Sequence, residues 1–178
     1  MFNVREITTE DVELLLDYWY SRSDDQLIKM GANPSKMPSR EVFRINILNQ
    51  LSLNYKLKKA YATIWLYNGI PIGHNNINKI IFGQEAYMHL HIWDVENRLK
   101  GLGQKLIKKS IALFFKNFNL QILFCEPYSK NPAPNKLLRK LGFTFMKKYS
   151  TIPGSINFKQ EVNRWALSKE KFDTLKWI

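Results

Sequence analysis

The chain has 178 residues, of which 45% are hydrophobic, and a formal net charge of +12. The length predicts one domain over residues 1–178 with a sizeable core, and the composition excludes a disordered or fibrous chain. The positive charge suits an anionic ligand.

No stretch of the sequence has the features of a membrane or secretory segment. Its apolar runs are shorter than a membrane span, and residues 1–6 lack the charged-then-apolar layout of a signal peptide. Cys125 is its one cysteine, which excludes an internal disulfide and fits a reducing compartment. We therefore expect a cytoplasmic protein in which Cys125 is a buried small hydrophobe.

The first half of the chain combines strands with helices. The predicted elements are a strand at 2–7, a helix after the capping pair Thr8 and Asp11, a helix from Ser39 to about Leu57, and strands at 60–67 and 70–81. The polar segment 21–40 predicts a loop with one helical turn at 25–30. Asn68-Gly69 predicts a tight hairpin between the two later strands.

The second half alternates strands and helices. The predicted elements are strands at 86–93, 122–126, 143–149 and 162–167, and helices at 104–116, from about Asn135 to Gly142, and from Ser168 to near Trp177. The whole order predicts an α+β fold, with a central mixed, mostly antiparallel sheet flanked by helices.

A basic, glycine-containing loop, Arg98-Leu99-Lys100-Gly101-Leu102-Gly103, joins the predicted strand 86–93 to the helix that follows. Glycines let the backbone approach a ligand closely, and the first N–H groups of a helix have no internal acceptor. Phosphate oxygens are natural partners for those donors, and Arg98 and Lys100 add positive charge. The loop lacks the Gly-Lys-Ser/Thr ending of a Walker loop and the third glycine of a dinucleotide fingerprint. It therefore predicts a diphosphate site of another kind.

The pattern Arg-x-x-Gly-x-Gly, formed by Arg98, Gly101 and Gly103, resembles the acetyl-CoA loop of the GCN5-related N-acetyltransferases (GNAT). A second stretch resembles the other half of that family's cofactor site, because Asn131 precedes a helix that ends in Lys140-Leu141-Gly142-Phe143. The likeness is greatest to the branch of ribosomal-protein N-terminal and antibiotic acetyltransferases. Two residues depart from that branch: Pro134 replaces a serine and Arg139 replaces a glutamate.

The resemblance implies the GNAT fold, acetyl-CoA as the acetyl donor, and direct attack of a primary amine on the thioester. The amine is either a protein N-terminus or a small molecule. Dimers are frequent among the relatives, so a homodimer is one of the states that the resemblance allows. The main-chain N–H of Ile92, Trp93 or Asp94 is implied as the donor to the thioester oxygen. The implied cofactor-binding residues are Ile92, Trp93, Asp94, Arg98, Leu99, Lys100, Gly101, Leu102, Gly103, Gln104, Asn131 and Lys136.

Two residues are candidates for the base that removes the proton of the amine. Strand alternation puts His89 and His91 on one face, and histidine titrates near neutrality. His91 is the first candidate because it lies nearer the cofactor end, and Glu126, at the exit of the next strand, is the second. A hydrogen-bonded core histidine, and a carboxylate that orients the loop to Asn131, stay open as the alternative roles.

Leu138 stands where many family members carry the tyrosine that protonates the CoA sulfur. The resemblance therefore leaves two proton sources, another group such as Tyr128 or water. The departure also keeps an alternative function open, a basic module on the same fold that binds RNA, the ribosome or a protein without acetyl transfer. Asn131 has the alternative role of a helix cap.

The sequence does not identify the acetyl acceptor, but its charge bears on the choice. A polycationic amine suits the basic chain poorly unless the acidic residues Asp24, Asp25, Glu85 and Glu126 gather around the pocket. His89 and His91 could donate two metal ligands, with His74, Glu85 or Asp94 as a third, but none of these three has the usual ligand spacing, so no metal is expected.

Overall fold

A mixed sheet of seven strands organises the chain. A computed structural model describes residues 1–93, 102–175 and 177. The strands are β1 (Phe2–Glu6), β2 (Ala60–Tyr67), β3 (Ile70–Ile81), β4 (Glu85–Ile92), β5 (Ile122–Cys125), β6 (Thr144–Thr151) and β7 (Gln160–Ser168). Their order across the sheet is β1-β2-β3-β4-β5-β7-β6; β4 and β5 pair parallel and the other neighbours antiparallel. The predicted α+β fold with a mostly antiparallel sheet is confirmed.

Six α-helices are assigned in the described residues, with 3-10 turns at Thr9–Asp11 and Pro34–Lys36. They are α1 (Val12–Tyr20), α2 (Asp24–Lys29), α3 (Arg40–Ser52), α4 (Leu102–Phe118), α5 (Pro132–Lys140) and α6 (Lys169–Thr174). The helix predicted to run to about Leu57 ends at Ser52, where the Lys58 ammonium donates to the carbonyls of Gln50 and Leu51. α5 begins three residues earlier than predicted because Asn131 caps it and Pro132 fits its first turn.

The two faces of the sheet carry different helices. Ala86 and Met88 of β4 face the larger core, in which α4 contributes Phe114, Phe115 and Phe118. The Ser110 hydroxyl of α4 accepts hydrogen bonds from Thr63 Oγ1 at 2.8 Å and Trp65 Nε1 at 2.9 Å, which fixes the helix on β2. The opposite face packs Ala62 and Ile64 against Leu15 of α1 and Ile47 and Leu51 of α3. The side chains of Tyr87, His89 and His91 lie on this second face, as strand alternation predicts.

β4 and β5 separate at their carboxyl ends. Their register runs from Glu85 with Ile122 to Met88 with Cys125 and stops there, whereas β4 continues to Ile92. The chain beyond β5 turns to β7 instead, since the Asn163 amide donates to Pro127 O at 3.0 Å and the Ser129 amide to Glu161 O at 2.9 Å. Within the described residues, the last four residues of β4 therefore have a strand neighbour on one side, β3.

Among the residues that the structure describes, no helix combines the length and apolar character needed to cross a bilayer.

Candidate functional site

The open edge of β4 carries main-chain groups with a defined direction. The Trp93 amide donates to the Ile72 carbonyl of β3 at 3.4 Å. Successive residues of an antiparallel strand alternate between facing their neighbour and facing away from it. The N–H groups of Leu90 and Ile92 therefore point toward the space that β5 has left. Of the predicted main-chain donors, Trp93 is used by β3, Ile92 faces the opening, and Asp94 lies outside the described residues.

The N-terminus of α4 has the features of an anion site. α4 begins at Leu102, so its first N–H groups lack intrahelical acceptors. A Cβ at Gly103 would meet no atom of the described residues within 4 Å, which suits a close approach of a ligand to the backbone. Lys105 and Lys109 lie exposed in the first half of the helix. Arg98, Leu99, Lys100 and Gly101, the basic part of the predicted loop, lie outside the described residues. The described part fits a phosphate group.

Three histidines, the full complement of the chain, meet on the second face of the sheet. The rings of His74 and His91 stack with centroids 4.5 Å apart. Trp93 Nε1 donates to His74 Nδ1 at 2.6 Å, and the Tyr18 hydroxyl of α1 lies 3.2 Å from His91 Nδ1. His89 Nε2 is buried and has no hydrogen-bond partner among the described residues. Tyr18, from α1, was not predicted as a member of the site, and His74, from β3, was considered beside His89 and His91 only as a metal ligand.

Burial keeps these histidines neutral. Desolvation lowers the pKa of His74 to about 3 and the pKa of His89 to about 4, and it lowers the pKa of His91 well below 6.5. The neighbouring imidazoles act in the same direction for His74 and His91. Burial also raises the pKa of Tyr18 to about 12. At pH 7 every imidazole in the cluster therefore keeps a nitrogen lone pair, and Tyr18 keeps its proton.

The histidines form one wall of a cavity of about 350 Å³. It lies between α1, α3, the strands β2 to β4 and the segment 154–157. Amide side chains are prominent in its lining, those of Asn46, Gln50, Asn76, Asn78 and Asn157. No carboxylate of the described residues lines it. The acidic residues whose gathering a polycationic acceptor would require, Asp24, Asp25, Glu85 and Glu126, are thus not part of this lining.

Glu126 lies apart from the cavity and is engaged by other groups. Its side chain is 4% exposed, and Arg164 Nε donates to its carboxylate at 2.6 Å. The Tyr149 hydroxyl donates to the same oxygen. The Arg164 guanidinium lies 5.2 Å from the Phe124 ring centroid and 5.6 Å from that of Tyr87. Glu126 is therefore half of an ion pair enclosed by aromatic rings.

The start of α5 is held by two asparagines. Asn131 Oδ1 accepts from the Ala133 amide at 3.3 Å, so the capping role that the sequence left open is present. Asn135 Nδ2 donates to the carbonyls of Tyr128 and Asn131, and its Oδ1 accepts from Asn163 Nδ2 and from Trp165 Nε1. Asn135 thereby ties the segment after β5 to β7. Sequence reasoning missed it, because only the tertiary pairing of α5 with β7 reveals its partners.

The remaining predicted residues divide by exposure. Lys136 of α5 is exposed and Gln104 of α4 is half-buried. Leu138, at the position of the family's tyrosine, is 0% exposed within the larger core.

Burial raises the pKa of the Cys125 thiol to about 12, so Cys125 is the buried small hydrophobe predicted. Among the described residues, no three His, Cys, Asp or Glu side chains are arranged to hold a metal ion.

Comparisons with known proteins identify the family. A family model of the acetyltransferase (GNAT) domain matches residues 2–144. No curated protein sequence gives a significant match. Solved structures with the same fold include a spermidine N-acetyltransferase from Vibrio cholerae in complex with CoA and spermine, which is 17% identical with a TM-score of 0.75 over 96% of this chain and 97% of that one. They also include RimL, a ribosomal L7/L12 alpha-N-protein acetyltransferase in complex with coenzyme A, at 14% identity and a TM-score of 0.74 over 96% and 95% of the two chains.

A third similar structure is an uncharacterized protein from Bacillus halodurans, 14% identical with a TM-score of 0.69 over 99% of this chain and 89% of that one. At these identities the structural likeness shows the fold, whereas the family model covers most of the chain. The chain belongs to the GNAT acetyltransferase family and is an N-acetyltransferase that uses acetyl-CoA as its acetyl donor.

Proposed function

We propose that residues 1–178 act as one domain that transfers the acetyl group of acetyl-CoA to a primary amine bound in the histidine- and amide-lined cavity. One observation carries this proposal: the cavity is bounded by His89 and His91 at the open edge of β4, where the neighbouring Ile92 amide faces away from β3. An amine in the cavity would approach the end of β4 from the second face of the sheet. A thioester hydrogen-bonded at the open edge would lie beside the same end of the strand, within reach of the amine.

The donor half of the site uses main-chain groups and basic side chains. The Ile92 N–H donates to the thioester oxygen as negative charge develops on it. The loop Asp94 to Gly101 and the first amides of α4, at Leu102, Gly103 and Gln104, bind the phosphates. Asn131, which caps α5, and Lys136, within α5, border the same ligand. When bound, acetyl-CoA supplies an acyl group on a good leaving thiolate.

His91 accepts the proton of the amine in this proposal. For Nε2 to accept, Nδ1 must carry the ring hydrogen and donate to the Tyr18 oxygen 3.2 Å away, so Tyr18 is a positioning residue. A histidine with a lowered pKa is a weak base, but the amine becomes a stronger acid as its lone pair enters the new C–N bond. The burial that lowers the histidine pKa values also lowers the pKa of a bound ammonium, which favours the reactive neutral amine.

Glu126 is the second candidate for the base, and its ion pair with Arg164 makes it a poorer one. A carboxylate that accepts from both Arg164 and Tyr149 loses those bonds when it turns toward a substrate. The buried Leu138 has no proton to give, so the departing thiolate takes its proton from water or from another group such as the exposed Tyr128.

Steady-state transfer tests the proposal. We expect purified protein with acetyl-CoA and a panel of primary amines to release free thiol, and His91→Gln to lower kcat/KM about a hundredfold or more. Glu126→Gln is the matched carboxamide control and should lower kcat/KM less than tenfold. CoA affinity, measured by calorimetry, should be unchanged in both variants. An absence of thiol release with every amine overturns the function, and a larger loss in Glu126→Gln than in His91→Gln reverses the assignment of the base.

A further inference from the structure

The wall of the cavity that carries the histidines, called its floor from here on, consists of paired polar side chains on β3 and β4. The antiparallel register pairs His74 with His91 and Asn76 with His89. Asn78 lies two residues beyond Asn76 on β3, hence on the same face. All five line the cavity.

Three of these side chains have an atom that lacks a partner. Asn76 Oδ1, Asn78 Oδ1 and His89 Nε2 are buried and form no hydrogen bond with any described residue. Folded proteins leave few buried polar atoms unpaired, and those that remain are commonly satisfied by water or a ligand. Carbonyl oxygens accept hydrogen bonds, and a neutral imidazole nitrogen accepts when it is unprotonated. These three side chains therefore line the cavity and keep hydrogen-bonding capacity that no described residue uses.

The charge of the lining argues against a second cationic centre in the ligand. The described lining holds no carboxylate, and its one lysine, Lys58, is a cation whose ammonium donates to the carbonyls of Gln50 and Leu51. Moving an ammonium group from water into such a space is costly without a counter-charge. A cavity of about 350 Å³ is also at the small end of the usual range for ligand sites.

We infer that the acetyl acceptor is a small monoamine whose uncharged body carries hydroxyl groups, which form hydrogen bonds with the amide side chains of Asn76 and Asn78. Hydroxyl groups both donate and accept, as the amide side chains around the cavity do. This inference rests on the proposed function, because it assigns the acceptor of the same transfer. It makes Asn76 and Asn78 specificity-determining residues that select against polyamines.

Equilibrium binding tests the inference independently of turnover. Three probes are titrated into the protein saturated with CoA: glucosamine, cyclohexylamine, which is a ring amine without hydroxyl groups, and spermidine. We expect glucosamine to bind at least tenfold more tightly than either of the others. Equal or tighter binding of cyclohexylamine or spermidine, or no binding of glucosamine, overturns the inference.

A charge variant tests the selection residue by residue. Asn76→Asp places a carboxylate on the cavity floor, and we expect it to improve spermidine binding at least tenfold relative to wild type. Asn49→Asp adds the same charge to the exposed side of α3, outside the cavity lining, and should leave spermidine binding unchanged. A similar gain in both variants, or none in Asn76→Asp while its circular dichroism and CoA affinity match wild type, contradicts the assignment.

The two proposals fail in different ways. Thiol release with spermidine as the best acceptor keeps the acetyl-transfer function and removes this inference. Tight glucosamine binding without thiol release from any amine keeps the specificity of the cavity and removes the transfer.

Discussion

Acid is expected to unfold this protein through its histidines. Burial lowers the pKa of His74 to about 3 and the pKa of His89 to about 4, from an ordinary value of 6.5. Below pH 6.5 the unfolded chain therefore binds protons that the folded chain does not, so the free energy of unfolding decreases as the pH decreases. Each of the two histidines lowers the free energy of unfolding by about 1.4 kcal/mol per pH unit below pH 6.5, which amounts to about 2 kcal/mol at pH 5. The pair costs about 4 kcal/mol, and the lowered pKa of His91 acts in the same direction.

The pH range from 6.5 to 5 isolates this effect. The chain has three histidines, and all of them belong to the cluster. Carboxylates with a lowered pKa, such as those of Asp11 and Glu161, also stabilise the folded state above their ordinary pKa values of 3.8 and 4.5. Their contribution is lost as the pH falls through and below those values, so it is largely intact at pH 5. A total loss of about 4 kcal/mol is about a quarter or more of the stability of a typical domain.

Urea unfolding followed by tryptophan fluorescence, in half-unit steps from pH 7.5 to 5, measures the slope. His89→Gln keeps a polar side chain but removes one titrating group. Its slope below pH 6.5 should be lower than that of wild type by about one proton, or about 1.4 kcal/mol per pH unit. A wild-type stability that stays constant between pH 6.5 and 5, or an unchanged slope in His89→Gln, refutes the reasoning.

Two substitutions probe the donor half of the site. Gly103→Glu places a carboxylate at the N-terminus of α4, where it would repel the phosphates of CoA. We expect calorimetry to show at least tenfold weaker CoA binding than in Gly103→Gln, which has the same size without the charge. Equal affinities in the two variants would show that the phosphates do not bind at this position. Leu138→Tyr restores the family's tyrosine, but the position is 0% exposed in the core, so overpacking and an unpaired hydroxyl should lower the free energy of unfolding by about 3 kcal/mol without raising kcat. A gain in kcat would show that this side chain reaches the leaving sulfur.

Local signals in the sequence predicted local structure well. Asn68-Gly69 predicted the hairpin between β2 and β3, and both residues have positive φ, 49° and 82°, as a tight primed turn requires. Strand alternation put His89 and His91 on one face because side-chain direction in a strand depends only on residue parity. The acetyl-CoA motifs predicted the family because their residues are close together in the chain.

The environment of the site could not be predicted, because it depends on contacts between distant residues. Tyr18 and His91 are 73 residues apart, and their contact depends on how α1 crosses the sheet. His74 faces His91 through the register of β3 on β4, which no local pattern encodes. The ordinary pKa of histidine suggested that His91 is a base that titrates near neutrality, whereas burial in the folded protein lowers the pKa of His91. The sequence left two roles open for Glu126, a base and a carboxylate that orients the loop to Asn131, and did not indicate the ion pair because Arg164 follows 38 residues later.

The open edge of β4 consists of peptide groups, which every residue type except proline supplies in the same form. A group placed there survives side-chain mutation, and Ile92→Pro is the replacement that deletes its N–H. The polar atoms of the cavity lining belong to side chains, so a single substitution removes or changes each of them. The two halves of the proposed site therefore differ in their sensitivity to mutation: a main-chain donor at Ile92 tolerates every replacement except proline, whereas each replacement in the cavity lining changes the polar groups that the proposed amine would meet.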